Sequence, residues 1–136
     1  MINLFLIFLI SITMSSAFSK CGNNANNFCN IKLVEVYDGD TFFVNIQRLH
    51  PLIGKRLGVR VWGVDTPEIR TKDLEEKVGG LAAREFTKMS LKEAKKINLI
   101  DCKRGKYSRI VCKVEYDGKD LTTELIKNGY GKPYMQ

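Results

Sequence analysis

The chain has 136 residues, with 22 Lys and Arg against 15 Asp and Glu, a net charge of +7 at neutral pH and 44% hydrophobic residues. That length suits one domain with its own core and argues against a multidomain reading, while the cationic excess favours polyanions, either nucleic acid or an acidic surface. One histidine and four cysteines, with no Cys-x-x-Cys spacing, make a zinc site a poor explanation.

Residues 3–12 form an almost unbroken apolar run, followed by Ser15, Ser16, Ala17, Phe18 and Ser19. Residues 1–19 therefore read as a signal peptide, too short in apolar length for a comfortable membrane span, with small residues offering cleavage after Ala17 or Ser19. Cys21 invites a lipoprotein reading, and Lys20 immediately before it argues against one. The expected setting is periplasmic or secreted, with no stable membrane association after cleavage. Such a setting permits oxidation, so Cys21, Cys29, Cys102 and Cys112 are expected to form two disulfides, whose connectivity the sequence leaves open.

Residues 20–30 are rich in Asn and read as a flexible, cysteine-containing lead-in to a domain at 31–136. Segments 31–37 and 41–47 have strand character, the second alternating Phe42, Val44 and Ile46 against Thr41, Phe43 and Asn45. Asp38-Gly39-Asp40 between them suggests a hairpin turn, with Asp-Gly supplying positive backbone angles. Residues 48–54 read as a loop. A third strand at 55–64 sets Leu57, Val59 and Val61 on one face and Arg60, Trp62 and Val64 on the other. It ends at Asp65-Thr66-Pro67-Glu68, where Pro67 removes a donor and fixes the loop.

After a charged stretch at 70–77, residues 80–96 read as an amphipathic helix with Ala82, Phe86 and Met89 in its apolar stripe, widened by Leu81. Arg84, Lys88, Lys92 and Lys95 fall on the opposite side and read as a solvated face. Two further strands, 97–102 and 110–116, flank a basic loop at 103–109. A short helix at 121–128 stops at Gly129. The fold class expected from this order is α+β, mainly β: a small barrel of five strands with two helices packed on it.

The chemistry lies in the acids and arginines. Asp38 and Asp40 sit in one turn and Asp65 and Glu68 in another, each at a strand end. Acids held on rigid turns in so basic a domain suit a hard cation with oxygen ligands. An isolated Asp-Gly-Asp is more often plain turn chemistry, so its companions carry the weight.

Those companions are Arg60 and Arg109. Asp38-Gly39-Asp40-Thr41, then Arg60-Val61-Trp62-Gly63-Val64-Asp65-Thr66-Pro67-Glu68, then Lys106-Tyr107-Ser108-Arg109 together resemble the staphylococcal (micrococcal) nuclease family pattern, over about residues 33–134. The resemblance implies an oligonucleotide-binding (OB-fold) barrel. It implies Ca2+ ligated by Asp40, Asp65 and the Thr66 carbonyl, supported by Asp38. Arg60 and Arg109 would grip the reacting phosphate, as guanidinium forks do, and Glu68 would orient or deprotonate the attacking water. Lys106, Tyr107 and Tyr134 would contact the nucleotide. Ser108 stands where the family usually has glycine, and a sequence running only to Gln136 has no counterpart for the long final helix of the family's best-known member.

The implied activity is calcium-dependent endonucleolytic hydrolysis of DNA and RNA to 3′-phosphate products, by a monomer. Two competing readings are a non-catalytic nucleic-acid-binding barrel and a structural exported protein that engages an envelope polymer. Retention of every acid discriminates against the first, and the second needs no active site.

Overall fold

The computed structural model describes residues 21–135, so the expected signal peptide lies outside the described residues. No helix among the described residues is long and apolar enough to cross a membrane.

Among the described residues eight strands and three helices follow in chain order: β1 Lys32–Asp38, β2 Thr41–Asn45, α1 Pro51–Gly54, β3 Leu57–Val61, β4 Val64–Asp65, α2 Leu74–Glu93, β5 Ile97–Arg104, β6 Ile110–Tyr116, β7 Lys119–Asp120, α3 Leu121–Lys127 and β8 Lys132–Pro133. The main sheet runs β1-β2-β3-β6-β5, with β7 added to β6, and only β3 and β6 pair in parallel. The five long strands are those expected. The sheet curls on itself because residues just before β1 reach the far edge: Phe28 and Leu99 exchange backbone hydrogen bonds at 2.8 Å, and the Ile31 N–H donates to the Ile97 carbonyl at 3.0 Å. With helices packed on it, this is an α+β half-barrel of the oligonucleotide-binding kind.

Alternation in the strands sets the core. Phe42 and Val44 of β2, Val59 and Val61 of β3, Leu99 of β5 and Val114 of β6 are fully enclosed, and Leu91, Leu121 and Leu125 of the helices close over them. Val64 departs from the expected face. Gly63 adopts φ +85°, which ends β3 and turns Val64 into the core rather than beside Arg60 and Trp62.

Helix α2 begins six residues before the expected position. Asp73 caps it, accepting from the N–H groups of Glu75 and Glu76, while the Glu76 carboxylate turns to the Glu68 N–H and the Thr71 hydroxyl and ties the preceding loop to the helix. Gly79 and Gly80 allow the helix to lie against the Pro67 loop: a Cβ at Gly80 would meet the Pro67 carbonyl at 2.6 Å. The buried stripe is accordingly Gly80, Ala83, Thr87 and Leu91, while Leu81 and Met89 are exposed and Ala82 faces water. Small residues win this face because the helix backbone must come close to the loops it supports.

The cysteines pair locally, Cys21 with Cys29 and Cys102 with Cys112. The second bond links β5 to β6 at a bulge between Ile100 and Lys103, and so braces the base of the hairpin that carries Arg109.

Candidate active site

Three local structures supply the acids and arginines. The first is the β1–β2 turn. Neither Gly39 nor Asp40 adopts a positive φ, so the expected role of Gly39 is corrected. A Cβ there would meet Ala83 Cβ at 2.7 Å and Thr66 Cγ2 at 2.8 Å. Glycine is required by the closeness of α2 and the Thr66 loop, and the Thr87 hydroxyl fixes the turn by donating to the Gly39 carbonyl at 2.7 Å. A register irregularity between Val36 and Asp38 accommodates the unprimed turn within the twisted ladder.

The second is the loop after β4. The Asp40 carboxylate accepts from the Thr66 N–H at 2.9 Å and from the Thr41 hydroxyl at 3.1 Å, tying the two acidic bends together. Arg60, projecting outward from β3, completes the cluster. Its guanidinium meets Asp40 at 2.6 Å and Asp65 at 3.3 Å. Asp38 lies beneath, accepting from the Asp40 N–H at 3.2 Å. Burial, reinforced by the hydrogen bond and charge of neighbouring Asp40, pushes the Asp38 carboxyl up to about 7.

The third is the β5–β6 hairpin tip. Lys106, Tyr107, Ser108 and Arg109 form a tight turn, the Arg109 N–H donating to the Lys106 carbonyl at 3.2 Å. Tyr107 and Ser108 both hold positive φ, 57° and 58°. Arg109 folds back over β3 at Gly58, where an added Cβ would meet Arg109 Cγ at 2.8 Å.

Arg60, Arg109, Lys106 and Tyr134 line one cleft of about 750 Å³. Tyr134 is carried there by the β4–β8 pairing and by its N–H bond to the Gly63 carbonyl at 3.1 Å, with its ring 5.9 Å from the Arg60 guanidinium. Tyr107 is highly exposed at the hairpin tip, its ring 5.6 Å from the Arg109 guanidinium. Glu68 lines an adjoining hollow of about 440 Å³ with Asp65 and Thr66, where Glu75, Glu76 and Lys132 also stand. The Arg60–Asp65 pair stands between the two spaces. Trp62 and Lys103, to which the sequence motifs assign no role, both line the larger cleft. The alternation that puts Trp62 on the Arg60 face was the available signal.

Among the described residues no group of three or more His, Cys, Asp or Glu side chains is arranged to hold a metal ion. Any cation held here would draw on the Asp40 and Asp65 carboxylates and a backbone carbonyl such as that of Thr66, completing its shell with water or substrate oxygen. That donor set is all hard oxygen, the ligand type that Ca2+ takes, and one guanidinium reaching both carboxylates brings the two acidic bends to the same side of Arg60.

Comparison with known proteins gives the family. The chain is 30% identical over 123 residues to a thermonuclease of Staphylococcus hyicus, spanning 89% of this chain and 69% of that protein. It is 30% identical over 129 residues to an uncharacterized protein of Methanocaldococcus jannaschii, spanning 76% of this chain and 58% of that protein. Residues 58–136, which include Arg60, Asp65, Glu68 and Arg109, match the family described as Staphylococcal nuclease homologue, and it is to this family that the chain belongs.

Proposed function

We propose that this chain is an exported, monomeric, calcium-dependent endonuclease that hydrolyses phosphodiester bonds of DNA and RNA and leaves 3′-phosphate products. Family membership supports a nuclease-like function and a nucleic-acid substrate. The observation that carries the finer reading is the position of Arg60, which lines the basic cleft with Arg109 and also touches both Asp40 and Asp65.

In this reading Arg60 and Arg109 clamp the scissile phosphate. Their forks match its oxygens and offset the charge that builds as the phosphorus gains a fifth ligand. Glu68 orients a water and takes its proton, the water oxygen bonds to phosphorus, and the bond to the 5′-oxygen breaks, that oxygen taking up a proton from solvent to leave as a hydroxyl. Lys106 meets a neighbouring phosphate, and Tyr107 and Tyr134 flank the nucleotide. Asp40, Asp65 and the Thr66 carbonyl, supported by Asp38, would hold Ca2+, which when bound supplies Lewis-acid polarisation of a phosphoryl oxygen.

Export is supported by two disulfides and by the apolar leader at 1–19, with residues 20–30 as lead-in and 31–136 as the nuclease domain. The test is incubation of purified mature protein with plasmid DNA and with RNA, with calcium and with chelator, followed by end-group analysis. Calcium-dependent cleavage with 3′-phosphate ends is expected. Binding without cleavage in any divalent metal would favour the binding-module reading, to which the same basic cleft also lends itself.

A further inference from the structure

Trp62 is the only tryptophan of the chain, and its position is unusual for a residue with so large an apolar ring. It follows Arg60 by two residues and points to the same outward side of the sheet. Its backbone is fixed at both ends, the N–H donating to the Cys112 carbonyl at 2.8 Å and the carbonyl accepting from the Thr122 hydroxyl. The ring nevertheless stays accessible, with the residue 37% exposed.

Trp62 and Lys103 line the cleft of Arg60 and Arg109, and they also line a second hollow of about 270 Å³. Asn26, Asp101, Cys102 and Lys113 complete that second hollow. The two spaces therefore lie side by side, with Trp62 and Lys103 as their common aromatic and cationic wall. The Lys113 ammonium lies 5.3 Å from the indole centroid. Its partner Asp101 is 3.3 Å away, but both side chains are about half exposed or more, 47% and 61%, so this pair is weak and readily exchanged for a phosphate.

We propose that Trp62, Lys103 and Lys113 form an additional nucleotide subsite for single-stranded nucleic acid, adjoining the reaction cleft. A base of the strand leaving that cleft stacks on the indole, and the next phosphate meets the two ammonium groups. Stacking of this kind tolerates any base, because every base has a π-face. The inference rests on the nucleic-acid reading proposed above and extends it by one subsite. The plainer account of Trp62 and Lys113, a fastening of side chains on the sheet surface, predicts no dependence on strand length.

The experiment measures binding in chelator, so that no strand is cut, using dye-labelled dithymidylate and octathymidylate with wild type, Trp62→Ala, Trp62→Phe and Lys113→Gln. Wild type should bind the longer strand more tightly and quench its sole tryptophan on doing so. Trp62→Ala should weaken octathymidylate binding by at least about fivefold, and the short strand by less. Trp62→Phe should keep most of the gain with length, and Lys113→Gln should flatten the salt dependence. If Trp62→Ala fails to fold, the phenylalanine and Lys113 variants decide. Folded variants that match wild type on octathymidylate would overturn the subsite and leave the nuclease proposal standing. Wild type that binds neither strand in chelator, and neither binds nor cuts them with Ca2+, would instead remove the nucleic-acid reading itself.

Discussion

The Arg60 guanidinium closes on the Asp40 carboxylate at 2.6 Å, in a setting where the two side chains are only 15% and 8% exposed. Truncating the arginine leaves that carboxylate with the Thr66 N–H and the Thr41 hydroxyl alone. Arg60→Ala is therefore expected to lower turnover by about 100-fold or more. It should also cost stability, by less than the roughly 3–5 kcal/mol seen when a fully buried pair is broken. Arg60→Lys should recover part of the stability and little of the rate, since a point charge cannot span two oxygens as a fork does. Initial rates on plasmid and urea unfolding separate the two effects, and near-normal turnover in Arg60→Ala would take this residue out of the chemistry.

Gly58 tests the second arginine without touching it. Arg109 Cγ would lie 2.8 Å from a Cβ at position 58, so Gly58→Ala must displace a flexible side chain rather than backbone. The expected result is a fall in turnover of about 10-fold or more, because a shift of about 1 Å in a positioning group is already costly. The change in urea midpoint should be small. A stable variant with full activity would mean that the placement of Arg109 over β3 does not matter.

The strands were legible in the sequence because one face of each is buried. Phe42 and Val44, or Val59 and Val61, could not alternate otherwise, and the same alternation put Arg60 on the open side. The start of α2 was not legible, because Gly79 and Gly80 look like breakers when read locally. Only the packed Pro67 loop shows why a helix tolerates them. Of the site, the acids stood out as turn residues at strand ends and the resemblance to the nuclease family implied the parts of the arginines, and the structure brings Arg60 to Asp40 and Asp65. It sets Glu68 in the neighbouring hollow, a separation that depends on α2 packing and so leaves no trace in the motif.

Cys102 and Cys112 join β5 to β6 across a separation of ten residues. Closing so short a loop in the unfolded chain is worth about 2–3 kcal/mol, and that loss is expected in the double variant Cys102→Ala/Cys112→Ala. Because the hairpin tip holds Lys106 and Arg109, protease cleavage within 103–109 should accelerate as well. Unchanged urea stability of the double variant under non-reducing conditions would show that the bond contributes nothing to the fold.

Asp117 carries a pH-dependent contribution. Its carboxylate accepts from the N–H groups of Lys95 and Lys96 at 3.0 Å, and these bonds hold its pKa below the ordinary 3.8. A lowered carboxyl contributes stability above its unfolded value and loses it as pH falls through the folded one. Asp117→Ala should therefore melt lower than wild type at pH 7, and the gap should narrow as pH drops below about 3.8. A gap of constant size down to strongly acidic pH would assign the effect to the turn with Gly118 rather than to the charge.

Ser108 sits at φ 58° directly after Tyr107 at φ 57°, so two side-chain-bearing residues occupy the left-handed central positions of the turn that presents Arg109. Such turns favour Asn-Gly because each left-handed non-glycine residue costs roughly 1–2 kcal/mol. Ser108→Gly removes one of these penalties, partly offset by the greater freedom of glycine in the unfolded chain. A net stabilisation of about 0.5–1 kcal/mol follows, whereas Ser108→Val should destabilise, since a β-branched residue fits that region worst. Urea midpoints of the two variants against wild type provide the measurement. If Ser108→Gly came out less stable, the strain would not reside in this backbone angle, and the turn would have to owe its shape to the Tyr107 and Arg109 side chains that flank it.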